Sequence, residues 1–217
     1  DLALFNAYRL IDRSGVADVT RARLLEVMDD ALFASAAGEL IDVDFSMGGE
    51  VPRVDDILTM ERLKTAVYSF ECPLQAGAIL AGAPEEVVQT LGEFGREIGI
   101  AYQIVDDLLG IFGAEAETGK TTTGDLREGK RTVMIAYANS SKDWADVQHL
   151  FGDENLSDED ADRLRDVLTS CGARSFAEGL ARYYGNRALA RLAEPHIPAA
   201  LRTELHPVAD AVLGRVK

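Results

Sequence analysis

The sequence has 217 residues, 47% hydrophobic and 27% charged, a mix that excludes disordered, collagen-like and disulfide-scaffold classes. Its 22 Lys and Arg against 37 Asp and Glu give a formal charge of −15, and no basic stretch offsets it locally, which argues against a nucleic-acid partner. A small phosphorylated ligand stays compatible, because a divalent metal held by carboxylates bridges an acidic protein to an anion. Cys72 and Cys171 belong to no CxxC or Cys/His cluster. They predict two reduced, buried thiols and a cytoplasmic setting. No stretch reaches the roughly 18 apolar residues of a membrane span, and the N-terminus carries no basic-then-apolar signal pattern. Residues 1–217 are expected to form a single domain, and Asp1 in place of Met suggests a start inside a longer gene product.

Proline is absent from Asp1 to Val51 and again between Pro84 and Pro195. With β-branched alternation scarce, this predicts an all-α protein. Thr20 is a candidate cap for a helix carrying Leu24, Leu25, Met28, Leu32 and Phe33 at helical spacing. A short loop with Gly48, Gly49 and Pro52 follows. TMERLKTAVYSFECPLQAGAILAG then reads as one long helix with a kink at Pro73. Pro84-Glu85-Glu86 makes a good first turn, with acids at the positive dipole end, for a helix running to about Phe112. GAEAETGKTTTGDLREGKR is predicted as the one long loop. A short helix near Thr132 to Ala138, an acid-capped helix from about Ser157, another from about Ala173 and a last one after Pro198 complete the chain.

In such bundles, ligand sites lie between facing helices, so polar residues on apolar helices mark the chemistry. Gln103, Asp106 and Asp107 stand at i, i+3 and i+4 within one ~100° face, while Ile100, Ile104, Val105, Leu108 and Leu109 occupy the others. Two neighbouring carboxylates with oxygen-only company suit Mg²⁺, which keeps waters and shares sites with substrate phosphate; the same spacing also describes a solvated acidic face. Lys120, Asp125, Lys130 and Arg131 follow, placing cations beyond the carboxylates. A further lysine, Lys64, falls with Thr65 and Tyr68 on a predicted face shared with Glu71 and Gln75. Read alone, Lys64 is either an anion ligand or a snorkelling side chain.

Three strings, GELIDVDF, LKTAVYSFECPLQAGAILAG and GIAYQIVDDLLGIFGAEAETGKTTTGDLREGKRT, resemble in order and spacing the trans-isoprenyl diphosphate synthases, or polyprenyl synthetases. The likeness covers most of residues 1 to about 138. It implies a large all-α bundle of the isoprenoid synthase type around a deep apolar pocket, with two Asp-rich motifs facing across its mouth. By this resemblance Asp106 binds Mg²⁺ directly, and Asp107 and Gln103 act through metal-bound water and hydrogen bonds. Lys64 and Lys120 hold an allylic diphosphate, and Thr65 faces the reacting carbons. Glu39, at the usual Gln position, and Asp42 support the same metal site from behind it. Asp125 and Lys130 orient the loop.

The implied reaction is loss of diphosphate from the allylic substrate, helped by Mg²⁺, Lys64 and Lys120, then attack by the double bond of isopentenyl diphosphate. A dry pocket protects the allyl cation, with the stretch from Phe70 to Leu80 as a candidate wall and the Tyr68 ring as a cation-facing surface. The proton leaves with the diphosphate, so His149, His196 and His206 are read as structural. A homodimer is expected by analogy. Two departures stand out. DDLLG places Gly110 where the family motif has a third Asp, which predicts a carboxylate contact missing rather than moved. The first Asp-rich motif and the N-terminal helices have no counterpart, since Asp29-Asp30 and Asp55-Asp56 lie in the wrong context. A terpene cyclase on the same fold and a catalytically silent partner subunit are the alternatives, the first disfavoured by the lysines and the TGK loop.

Overall fold

The computed structural model describes residues 2–113 and 122–215. Among them the regular elements are all helical. The chain opens with α1 (Leu2–Asp12) and a 30-residue α2 (Asp18–Met47). Ala17 is the residue at the α2 N-cap and Thr20 lies inside the first turn, so the sequence places this start three residues late. Then come α3 (Val54–Glu61), a π-helical segment (Arg62–Glu71) and α4 (Cys72–Leu80) in unbroken succession. The single kinked helix predicted here is thus replaced by a ten-residue stretch in which the ladder shifts to i→i+5, as in the bond from the Cys72 amide to Val67 O. It ends just before Pro73, which has no amide to donate. Long π segments are rare and mark functional sites.

The centre of the molecule is α5 (Glu85–Phe112). It starts after Pro84 and ends before Gly113 as its sequence indicates. Phe94, Ile98, Ala101, Ile104 and Val105 are fully enclosed, so α5 is buried on more than one side. The predicted long loop is interrupted by a helix, α6 (Gly124–Glu128), closed by Gly129 at φ 67°. Residues 114–121 lie outside the described part. α7 (Val133–Ala138) is capped by Thr132, which accepts from the Ile135 amide. α8 (Lys142–Val147) runs into a 3₁₀ turn (Gln148–Leu150). α9 (Asp158–Ser170), capped by Ser157, α10 (Ala173–Leu192) and α11 (Ala199–Leu213) follow as predicted.

α10 lies along one side of α5, and the π segment along another, backed by α2. Glycines set the closeness of these approaches. A Cβ on Gly99 of α5 would sit 2.7 Å from Ala66 Cα, and one on Gly38 of α2 would sit 2.3 Å from the Lys64 amide nitrogen. Real Cβ contacts are not that short, so α2 and α5 pinch the π segment only because these positions lack side chains. Lys64 and Thr65 therefore sit between two helices. The C-terminal helices brace the back of α5 with ion pairs, Arg187 to Glu97 and Arg191 to Glu93, while His196 shares a hydrogen bond with Thr90. Cys72 and Cys171 are free, but half-buried rather than enclosed. Among the described residues no helix is long and apolar enough to cross a membrane.

Candidate active site

The site is built where the π segment, α5 and the residues after α6 meet. Thr65 Oγ1 donates to Gln103 Oε1 at 2.9 Å, and Gln103 Nε2 donates to Asp107 Oδ1 at 3.0 Å. Lys130 Nζ donates to the same Oδ1 at 2.7 Å and stands 4.0 Å from Asp125 Oδ2. Three elements of the polypeptide are tied together by this chain of bonds. The Gln103 amide is fixed by it too, since its oxygen must accept from Thr65 and its nitrogen must donate to Asp107.

Lys64 points the other way. Its Nζ is 2.5 Å from Asp42 Oδ2 and 3.0 Å from Glu39 Oε2 on α2. Burial alone would lower this ammonium, and the hydrogen bonds it donates to Asp42 and Glu39 outweigh that, leaving Lys64 above its usual value and charged. The predicted common face of Lys64, Thr65, Glu71 and Gln75 does not form. The π segment changes the angular spacing, so Lys64 faces α2, Thr65 faces α5, and Glu71 pairs with Arg96. Tyr68 is 52% exposed. Arg131 leaves the carboxylates and lies over the Phe151 ring, 5.5 Å from its centroid. Lys120 lies outside the described residues.

Asp107 is 2% exposed, and burial pushes its carboxyl upward while Lys130 and Gln103 pull it back. For Lys130 burial is also the largest influence and would lower it, but the charge and hydrogen bond of Asp107, with Asp125 and Asp106, hold it above its ordinary value. Asp106, one residue earlier, is only half-buried. At Gly110 a Cβ would lie 2.2 Å from Asp125 Oδ2, so the tip of that side chain, on α6, stands beside the glycine.

One site residue escaped sequence reasoning. Glu61, the last residue of α3, is 2% exposed, and among the described residues neither carboxylate oxygen has a hydrogen-bond partner. Burial, reinforced by the nearby Asp107 charge and only partly offset by Lys130, raises its carboxyl well above the ordinary range. Followed by Arg62, it looks like half of an exposed pair in the sequence.

Among the described residues no three side chains converge closely enough to hold a metal by themselves. The donors nevertheless fit a hard cation that takes its remaining ligands elsewhere. They are oxygen-only, and Asp107 Oδ1 is already committed to Lys130 and Gln103, which leaves Asp106 as the more accessible carboxylate. The predicted apolar wall is split: Ala78 and Ile79 enter the core, Phe70 packs on Tyr102, and Leu80 is exposed. A cavity of about 300 Å³ between α2, the π segment, α4 and α5 has a mixed lining that includes Arg23, Glu26, Val27, Glu71, Gln75 and Ile79.

This helical frame, with a KT pair pinched between helices and a Gln-x-x-Asp-Asp face opposite, defines an isoprenoid-synthase type of fold. The sequence model of the polyprenyl synthetase family matches residues 1–168. The chain belongs to that family. It is 34% identical over 215 residues to a geranylfarnesyl diphosphate synthase of Aeropyrum pernix, covering 97% of this chain and 67% of that protein. A geranylgeranyl diphosphate synthase of Saccharolobus solfataricus is 32% identical over 169 residues, 76% of this chain and 49% of that one. In structure the chain superposes with a TM-score of 0.90 on geranylgeranyl pyrophosphate synthase from Corynebacterium glutamicum, which was complexed with isoprenyl diphosphate and magnesium. The identity there is 31%, over 99% of this chain and 61% of the other. The chain thus spans about half to two thirds of the length of these relatives.

Proposed function

We propose that this chain carries the KT-lysine and second Asp-rich faces of a trans-prenyltransferase. The reaction condenses isopentenyl diphosphate with an allylic diphosphate into a longer trans-polyprenyl diphosphate. The observation that carries this reading is the continuous bond chain Thr65–Gln103–Asp107–Lys130, which fixes the KT segment against the Asp-rich face of α5. A group that orients reacting partners to within a fraction of an ångström contributes by removing their freedom before reaction.

In this reading Asp106 would hold Mg²⁺, with Asp107, fixed by Lys130 and Gln103, supporting the same site. Mg²⁺ bound there would offset the charge growing on the departing diphosphate. Lys64 and Lys120 bind the allylic diphosphate, with Lys64 offering the phosphate oxygens the one ammonium proton that Asp42 and Glu39 leave unengaged. The three protons of an ammonium allow that sharing. Thr65 presents its hydroxyl and carbonyl towards the reacting carbons, and Tyr68 offers its ring face to positive charge. Glu39 and Asp42 hold Lys64 at its station. The reading includes a homodimer, supported by the exposed apolar row Phe33, Leu40 and Met47 at seven-residue spacing along α2. A cytoplasmic setting fits the two free thiols.

The test is an assay of the gene product that contains this chain, with labelled isopentenyl diphosphate and an allylic primer. Elongated, solvent-extractable product is expected, with Lys64→Ala lowering kcat/KM and Lys142→Ala, on the exposed face of α8, leaving it unchanged. Equal effects at both lysines would contradict the assignment of Lys64.

A further inference from the structure

Arg165 of α9 touches both the end of α5 and the approach to α6. Its Nε donates to Ile111 O at 2.8 Å, and its Nη2 donates to Thr122 O at 3.0 Å and to Thr122 Oγ1 at 3.2 Å. Asp162, one turn earlier on α9, accepts from Nη1 at 2.7 Å. All three guanidinium nitrogens are thus engaged, and the side chain is only 19% exposed. A planar fork held at each corner is fixed in place, which a single ammonium in the same position would not be.

The two partners of this fork are backbone groups at a junction of the site. Ile111 is the last residue but one of α5. Its carbonyl belongs to the final turn, whose oxygens have no partner further along the helix and form the negative end of the helix dipole. Arg165 satisfies that oxygen and complements the dipole. Thr122 stands just before α6, which is held from the same side of the molecule: the Gly152 amide donates to Leu126 O at 2.9 Å, and Arg127 Nη2 donates to Leu156 O at 3.0 Å. Gly129 then turns the chain at φ 67°, and Lys130 Nζ reaches Asp107 Oδ1. Asp107 lies about one turn before Ile111 on α5. Arg165 and Lys130 therefore tie the α6 region to α5 at two successive levels. Arg191, by contrast, braces α5 at Glu93, about five turns back from Ile111.

We propose that Arg165 is a positioning residue for the Asp-rich face. By bridging the end of α5 and the approach to α6, it sets where Lys130 meets Asp107 and so the geometry of the metal–diphosphate site. The inference rests on the prenyltransferase reading of that face and deepens it, because it gives a part in the reaction to α9, beyond the strings that carry the family resemblance. Arg165 acts through backbone and through Lys130, not on the substrates.

The test assays the gene product containing this chain with labelled isopentenyl diphosphate and an allylic primer, across a Mg²⁺ series and well below each Tm. Arg165→Met is expected to lower kcat by about 10- to 100-fold, the scale for residues that orient metal ligands, and to raise the Mg²⁺ concentration that gives half-maximal turnover. Arg191→Met is expected to shift Tm alone. Arg165→Lys keeps the charge and most of the volume but not the fork, so it is expected to behave like Arg165→Met, and it carries the comparison if Arg165→Met does not fold. Hydrogen exchange of the metal-free gene product reads the bridge apart from turnover. The Arg127 and Lys130 amides, bonded to Thr123 O and Asp125 O, are expected to exchange faster in both Arg165 variants than in Arg191→Met. An unchanged kcat and Mg²⁺ response in the Arg165 variants, or full recovery by Arg165→Lys, would overturn the proposal. An unsubstituted gene product that does not condense the two substrates would overturn the prenyltransferase reading itself. Exchange would then decide the bridge alone, and unchanged rates at Arg127 and Lys130 would overturn it.

Discussion

Lys130 Nζ lies 2.7 Å from Asp107 Oδ1, on a carboxylate that is almost wholly removed from solvent. Removing one partner of such a pair leaves a charge in a medium that solvates it poorly, at a cost of about 3 kcal/mol or more. Lys130→Met is therefore expected to lower the urea midpoint markedly, with Asp107→Asn/Lys130→Met recovering much of the loss because neither charge remains. A single Lys130→Met chain as stable as the unsubstituted one would show that the pair does not hold Asp107 in place.

Gly38 controls where Lys64 sits. A Cβ there would meet the Lys64 backbone nitrogen at 2.3 Å, and backbone cannot rotate away as a side chain tip can. Gly38→Ala is expected to push the π segment off α2, costing about 1–3 kcal/mol by overpacking and breaking the Lys64 contacts with Asp42 and Glu39. Hydrogen exchange of the amides from Arg62 to Glu71 checks this, with faster exchange in Gly38→Ala than in the unsubstituted chain. Unchanged protection there would mean the helices separate freely.

Helix ends with local chemistry were legible in the sequence. Pro84-Glu85-Glu86, Thr132 and Ser157 mark starts that the structure keeps, because each signal lies within one turn of the feature it reports. The Gln103–Asp107 face was legible for the same reason, being an i, i+4 relation on one helix. What failed depended on distant partners. The π segment is imposed where α2 and α5 close on it at Gly38 and Gly99, and neither contact is visible in the string around Lys64. α6 has five residues, too few to show a period. Glu61 reads as exposed beside Arg62 until the fold encloses it.

Glu61 makes stability depend on pH. Its carboxyl is raised in the folded chain by burial first and by the Asp107 charge second. The folded state therefore binds its proton more tightly than the unfolded state does. The stability this contributes is complete below the ordinary carboxyl range and is lost as pH rises towards the folded value. Glu61→Gln stays neutral throughout. The Tm difference between Glu61→Gln and the unsubstituted metal-free chain is expected to shift in favour of Glu61→Gln as pH goes from about 5 to about 8. A difference independent of pH would show that Glu61 does not titrate inside this fold.

In the proposed reaction the Asp-rich face of α5 binds the metal that stabilises the departing diphosphate, and Asp106 is its most direct reporter. The decisive measurement is turnover of labelled isopentenyl diphosphate with an allylic primer at saturating Mg²⁺, comparing Asp106→Ala with the unsubstituted gene product. Loss of a group that stabilises developing charge costs about 100-fold or more in turnover, and that fall is expected, with primer binding reduced far less. Condensation by Asp106→Ala at a rate near that of the unsubstituted protein would contradict the account.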